Sequence, residues 1–155
     1  IYELAEYLSS KGVNSIGMNY SGTYDFNGIK ITMVNALHTA GISEDNFQHS
    51  GGLPCGYIIN ASRTVYHAGD TGLFGDMELI GKLYKPEISM LPIGGFFTMG
   101  IKEATYAAKM LGSKYVIPIH YNTFDVIKQD PEEFKNELKG ISEVVIFRPG
   151  ETKEF

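Results

Sequence analysis

The sequence predicts an α+β to α/β chain: a strand meander first, then strands alternating with helices. Three observations predict it. In "YDFNGIKITMVNA", Asn27-Gly28 sits between two alternating segments, the strongest short-range signal for a tight hairpin. "CGYIINASRTVYHA" repeats that arrangement around Ala61-Ser62. Beyond it, the short apolar segments "ISMLP", "YVIPI" and "EVVIF" are separated by helical patterns, which implies βαβ units with right-handed crossovers.

Each element has a local reason. Residues 2 to 10 read as a helix because Leu4, Tyr7 and Leu8 share a face, and Gly12 closes it. Residues 29 to 36 form the return strand of the first hairpin. From Thr39 to Pro54 the chain is polar and glycine-rich and reads as a long surface loop, a length more often functional than idle. Strands at 55 to 60 and 64 to 68 make the second hairpin. "DMELIGKLYKP" and "IKEATYAAKMLG" are helices, the second with Gly112 just past its end. In "DPEEFKNELKG", Asp130 is the N-cap, Pro131 the first helical residue and Glu133 the third, a strong start signal. Met77, Met90, Met99 and Met110 are assigned to packing. No linker, repeat or low-complexity tract divides the chain, so residues 1–155 read as a single domain.

Composition narrows the function classes. A formal net charge of -5 and scattered lysines leave no basic face for a phosphate backbone, so no nucleic-acid partner is expected. No apolar run approaches the length of roughly 18 residues needed to cross a bilayer, and no signal-peptide pattern opens the sequence. Cys55 is the only cysteine and reads as a small packed residue, which suits a reducing, cytoplasmic location.

The polar residues at strand ends carry the chemistry. His38 follows the strand at 29 to 36, Asp70 the strand at 64 to 68 and His120 the strand at 115 to 119. Strand direction reverses at each hairpin, so the strands before His38 and Asp70 point the same way. Sheets with βαβ units place ligands beyond their carboxyl ends, which adds His120 to that rim. Two imidazoles and a carboxylate suit a divalent metal such as zinc, with manganese, nickel or iron as alternatives. In "YHAGDTGLF", Gly69 and Gly72 let the backbone turn and leave the Asp70 carboxylate open to an ion. Each residue also has a plainer reading, since "GDTG" alone is an ordinary Asx turn. His49 is expected to face solvent, and His67 to support the Asp70 turn or simply to pack. Phe96, Phe97, Tyr121 and Phe124 fall on the flanking loops and suggest a partly apolar pocket mouth.

"HAGDTG" at 67 to 72, "LPIGGFFTMG" at 91 to 100 and "VIPIHYNTF" at 116 to 124 closely resemble the metallo-β-lactamase superfamily, in its branch of bacterial and archaeal metal-dependent hydrolases. The resemblance runs in order over nearly the whole chain. It implies the C-terminal part of an αββα metallo-β-lactamase-like sandwich, with two metal ions at the sheet edge and hydrolysis by a metal-bound hydroxide. On that resemblance His38 is a ligand of the first metal, Asp70 the carboxylate bridging both and central to catalysis, and His120 a ligand of the second. Thr98 and Asn122 are placed against a small-molecule substrate: an ester, lactone or phosphoester. Self-association is left open.

Two departures qualify the resemblance. The superfamily's H-x-H-x-D-H motif is absent, and the abrupt start at Ile1 suggests an N-terminally truncated portion of a protein of about 220 residues. Position 95 is Gly, where sequences of this family often carry Asp, so no carboxylate comes from that loop. A non-catalytic module that binds a missing half, and a nuclease, are the competing readings.

Overall fold

A computed structural model describes residues 1–44 and 47–155. Helix α1 (Tyr2–Ser10) leads into hairpin strands β1 (Thr23–Phe26) and β2 (Ile29–Asn35). Their turn is Asn27-Gly28, with φ of +53° and +87°, the two left-handed positions that a tight reversing turn requires. Strands β5 (Cys55–Asn60) and β6 (Thr64–His67) form the second hairpin.

The segment read as a surface loop instead contains a two-stranded antiparallel sheet, β3 (Gly41–Glu44) and β4 (Phe47–Ser50), with Ile42 opposite His49. Its strands are short and largely polar, so the usual apolar alternation is missing from the sequence. The connecting residues 45 and 46 lie outside the described residues. Glu44 anchors this sheet to α1, pairing with Lys11 and accepting a hydrogen bond from the Tyr7 hydroxyl at 3.1 Å. His49 is exposed, as expected.

The second half follows as α2 (Met77–Tyr84), β7 (Ile88–Pro92), α3 (Ile101–Leu111), β8 (Tyr115–Ile119), a 3-10 turn at Asp125–Ile127, α4 (Pro131–Glu137) and β9 (Glu143–Val144). Gly112 caps α3 in the left-handed region, and the Asp130 carboxylate caps α4 by accepting from the Glu132 amide at 2.9 Å. One seven-stranded sheet runs in the order β1-β2-β5-β6-β7-β8-β9. Its first four strands pair antiparallel and β6 through β9 pair parallel, the predicted meander followed by βαβ units.

The last strand is shorter than the apolar run "EVVIF" suggests. Tyr115 donates its amide to Glu87 on the β7 side and Val116 accepts from Val145 on the β9 side, so the alternation turns Pro118 toward β9. Proline has no N–H to offer there, and the ladder ends. Helices α2, α3 and α4 cover one face of the sheet through Met77, Ile80, Ala104, Ala108, Leu111 and Phe134, packed on Val34, Ile58, Tyr66, Leu91 and Val116. The opposite face buries a smaller cluster centred on Ile88, Ile117 and Val145. The described residues thus build a seven-stranded sheet covered on one face by helices, with the separate two-stranded β3–β4 sheet. Among them no helix is long and apolar enough to cross a membrane.

Candidate metal centre

Because β2 and β6 both run antiparallel to β5, while β7 and β8 run parallel to β6, the carboxyl ends of β2, β6, β7 and β8 open onto one rim. Backbone bonds stitch that rim together. Gly72 donates to the Leu37 carbonyl at 2.8 Å, Met99 to Thr71 at 3.1 Å and Ile93 to Ile119 at 3.1 Å.

Asp70 and His120 meet there. Oδ2 of Asp70 lies 3.5 Å from Nε2 of His120, with both side chains partly exposed. Local geometry explains why the two face each other. Gly69 has φ of +65°, and a Cβ at that position would stand 2.8 Å from the Cys55 carbonyl, so glycine is required to bring the turn down on β5. His67 supports the same turn by accepting the Gly69 amide on Nδ1 at 3.1 Å. Gly72 is different: a Cβ there meets Leu37 only at ordinary contact distance, so the space argument that the sequence suggested for it does not hold.

His120 itself has φ of +54°, and Asn122, two residues on, has +60°. Of the six non-glycine residues with positive φ among the described residues, three (Phe96, His120 and Asn122) belong to this rim. Such conformations cost free energy and persist where surrounding contacts enforce them. Here the contacts are specific. Asn122 Oδ1 accepts the Gln129 amide at 2.8 Å, the Asn122 amide donates to Ile127 at 3.0 Å, and Gln129 Nε2 reaches the Gly94 carbonyl at 3.4 Å. Gly94 packs so closely that a Cβ would stand 2.3 Å from the His120 carbonyl and 3.4 Å from its Nδ1.

His38 lies on the same rim but outside that pair. Its Nδ1 contacts the Thr39 carbonyl at 2.8 Å; a carbonyl can only accept, so Nδ1 is the donor, which in the neutral ring leaves the lone pair on Nε2. Among the described residues, no group of three His, Cys, Asp or Glu side chains stands ready to hold an ion. Asp70 and His120 fit a divalent metal as a pair. Their donors, the Asp70 carboxylate oxygen and His120 Nε2, are of the right chemistry; Nδ1 of His120, on the Gly94 side of the ring, is buried without a hydrogen-bond partner among the described residues. The remaining donors of a closed coordination sphere are not assembled around them.

Of the residues placed against substrate, Asn122 has its carbonyl oxygen committed to Gln129. Thr98 is partly buried, and its hydroxyl has no partner among the described residues. Gly95, with φ of +67°, opens a tight turn in which its carbonyl accepts from Thr98 at 3.1 Å.

Three site-building residues were not singled out from the sequence: Thr71, Gly94 and Gln129. Thr71 is fully buried and links two rim segments, accepting the Leu37 amide on Oγ1 at 2.9 Å and donating to the Gly72 carbonyl at 2.8 Å. A threonine directly after the Asp of a turn was a visible clue, and so was the doubled glycine of "PIGGFF". Gln129 left none.

An imidazole and a carboxylate meet on tight turns at the carboxyl rim of a mixed sheet, the edge at which α/β proteins place their ligands. Comparison with known proteins gives the family. Residues 2–121 match the family described as Beta-lactamase superfamily domain. A UPF0173 metal-dependent hydrolase of Methanosarcina mazei is 54% identical over 155 residues, which is 98% of this chain and 67% of that protein. Its counterpart in Methanocaldococcus jannaschii is 52% identical over 99% of this chain and 69% of its own length. Igni18, a metallo hydrolase from the archaeon Ignicoccus hospitalis, shares the fold with a TM-score of 0.88 and 42% identity, covering 100% of this chain and 67% of that one. The chain belongs to the metallo-β-lactamase superfamily, among its metal-dependent hydrolases.

Proposed function

We propose that Asp70 and His120 are ligands of a divalent-metal centre, with His38 a further ligand, and that this centre hydrolyses a small ester, lactone or phosphoester. One observation carries the reading: His120 Nε2 and Asp70 Oδ2 face each other across 3.5 Å on turns that glycine backbones hold open. The protonated Nδ1 of His38 adds support, because it leaves Nε2 as the ligating nitrogen. Imidazole and carboxylate favour zinc, with manganese, nickel or iron accepted by the same donors. Two ions are the number proposed for the assembled centre, which Asp70, His120 and His38 would help to hold.

A bound divalent ion supplies Lewis-acid polarisation of the substrate and a nucleophile from water at neutral pH. The chain's own residues do the rest. Asp70 and His120 orient the reacting group at the rim, and Gly94 and the Asn122–Gln129 bond hold His120 in its left-handed conformation. The Thr98 hydroxyl and the side-chain Nδ2 of Asn122 are the proposed polar contacts to substrate.

Metal content measured alongside hydrolysis of p-nitrophenyl acetate, a γ-lactone and bis-p-nitrophenyl phosphate tests the reading. The protein is expected to bind metal and turn over at least one of the three, and Asp70→Ala to lose both properties. Metal content and rate unchanged by Asp70→Ala would end it. A second reading, metal binding without turnover, draws on the lack of a three-donor group among the described residues. Stoichiometric metal with no Asp70-dependent rate on any of the three compounds would favour it.

A further inference from the structure

Three phenylalanines on the loops after β7 and β8, which the sequence suggests as part of an apolar pocket mouth, have no part in the function proposed above. Phe96, Phe97 and Phe124 are 79%, 52% and 48% exposed. They are not scattered. Phe96 and Phe97 meet edge to face with ring centroids 4.7 Å apart, and Phe97 and Phe124 lie 6.2 Å apart. Single exposed apolar side chains are ordinary, but three touching aromatic rings turned to solvent are not. Phe96 also has φ of +50°, a left-handed conformation that a bulky side chain rarely adopts and that keeps its ring outside the fold. The chain connects this cluster directly to the candidate centre. Gly94, against the His120 carbonyl, lies two residues before Phe96, and Phe124 lies four residues after His120. Tyr121, which the sequence groups with these rings, packs instead against the core.

We propose that Phe96, Phe97 and Phe124 form an apolar ledge that seats the alkyl or aryl part of the substrate beside Asp70 and His120. The inference rests on the reading of that pair as the hydrolytic centre. It narrows the substrate from any small ester to one carrying an apolar group. Size favours a small molecule over a protein: three part-exposed rings offer on the order of 300 Å², well short of the roughly 1,200 Å² of a stable protein interface. Charge agrees, because none of the three loop segments 94–98, 120–122 and 124 carries Lys or Arg to draw an anionic tail there. The exposed Leu37, whose carbonyl binds the Gly72 amide, adds an apolar group at the β2 end of the same rim.

Two probe series test the ledge. With p-nitrophenyl esters from acetate to octanoate, kcat/KM is expected to rise about twofold per added methylene, mainly through KM, as partial burial of each CH₂ predicts. In Phe97→Ala/Phe124→Ala the octanoate-to-acetate ratio is expected to collapse. Ile141→Ala, at an exposed position just before β9 and so at the amino ends of the parallel strands, should keep the wild-type slope. Straight-chain alcohols from butanol to octanol report binding without turnover: their affinity should rise about twofold per methylene and shift the ring signals of these three phenylalanines. If the alcohols behave so while no ester is hydrolysed in an Asp70-dependent way, the hydrolytic reading falls and the apolar site stands. If esters are hydrolysed but neither series depends on chain length, the ledge falls and the hydrolytic reading stands. A flat ester series beside length-dependent alcohols removes the ledge from the substrate's path and also overturns the proposal.

Discussion

The parallel and antiparallel sides of the sheet feed one rim, but they support it very differently. On the parallel side, Leu91, Val116, Ala104, Ala107, Ala108 and Phe134 are fully buried beneath three helices. Asp70 and His120 come from this side, and they meet. On the antiparallel side, every residue of β1 is exposed, and burial in β2 is confined to Thr32, Met33 and Val34. His38 comes from this side and does not join the pair. Close packing transmits position from core to rim, because buried side chains sit in single rotamers with little void between them. Where cover thins, a side chain takes its orientation from local bonds, as His38 does from Thr39.

The sharpest way to break this comparison is to remove packing from one side and then the other. Phe134→Ala, under the parallel strands, should lose about 3–5 kcal/mol of unfolding free energy. Phe26→Ala, at a half-exposed position of β1, should change it by no more than about 0.5 kcal/mol. Urea unfolding monitored by circular dichroism reads both, and equal losses would remove the asymmetry. A smaller effect is expected from Gly94→Ala. The added Cβ must displace the His120 carbonyl, costing about 1–3 kcal/mol. Zinc affinity should fall with it, while Gly72→Ala, which meets only ordinary contacts, should leave affinity much closer to wild type.

The smallest effect belongs to the tether between α1 and the β3–β4 sheet. Hydrogen bonds from Lys11 and Tyr7 hold the Glu44 carboxyl below its ordinary pKa. A carboxylate with a depressed folded pKa favours the native contact above its unfolded pKa and loses that contribution as pH falls through the folded value. Amide exchange in residues 41 to 44 should therefore quicken as the solution is acidified through the carboxylate range. Glu44→Gln should show the faster exchange already at neutral pH. Exchange independent of both pH and this substitution, after correction for intrinsic rates, would show that the tether contributes nothing.

Much of this was legible in the sequence because its causes are local. Asn27-Gly28 dictates its turn, Asp130-Pro131 starts α4 and Gly112 ends α3, each through the backbone conformation or capping group that the residue supplies. The parity of two hairpins was enough to send β2 and β6 the same way, which puts His38 and Asp70 on one rim, and the βαβ units that follow add His120. The shortened β9 was also written there, in Pro118, but its meaning depends on which neighbour the missing N–H faces.

Tertiary structure alone decided what happens within the rim. That Asp70 and His120 approach to 3.5 Å depends on contacts between segments far apart in the chain, whereas His38 takes its orientation from its neighbour Thr39. Gly94 against His120, Thr71 against Leu37 and Gln129 against Gly94 are such contacts, and no local pattern encodes them. Periodicity fixes which way a residue faces within its own strand or helix. The angstroms that separate two donors are set by packing between elements, and packing exists only once the chain has folded.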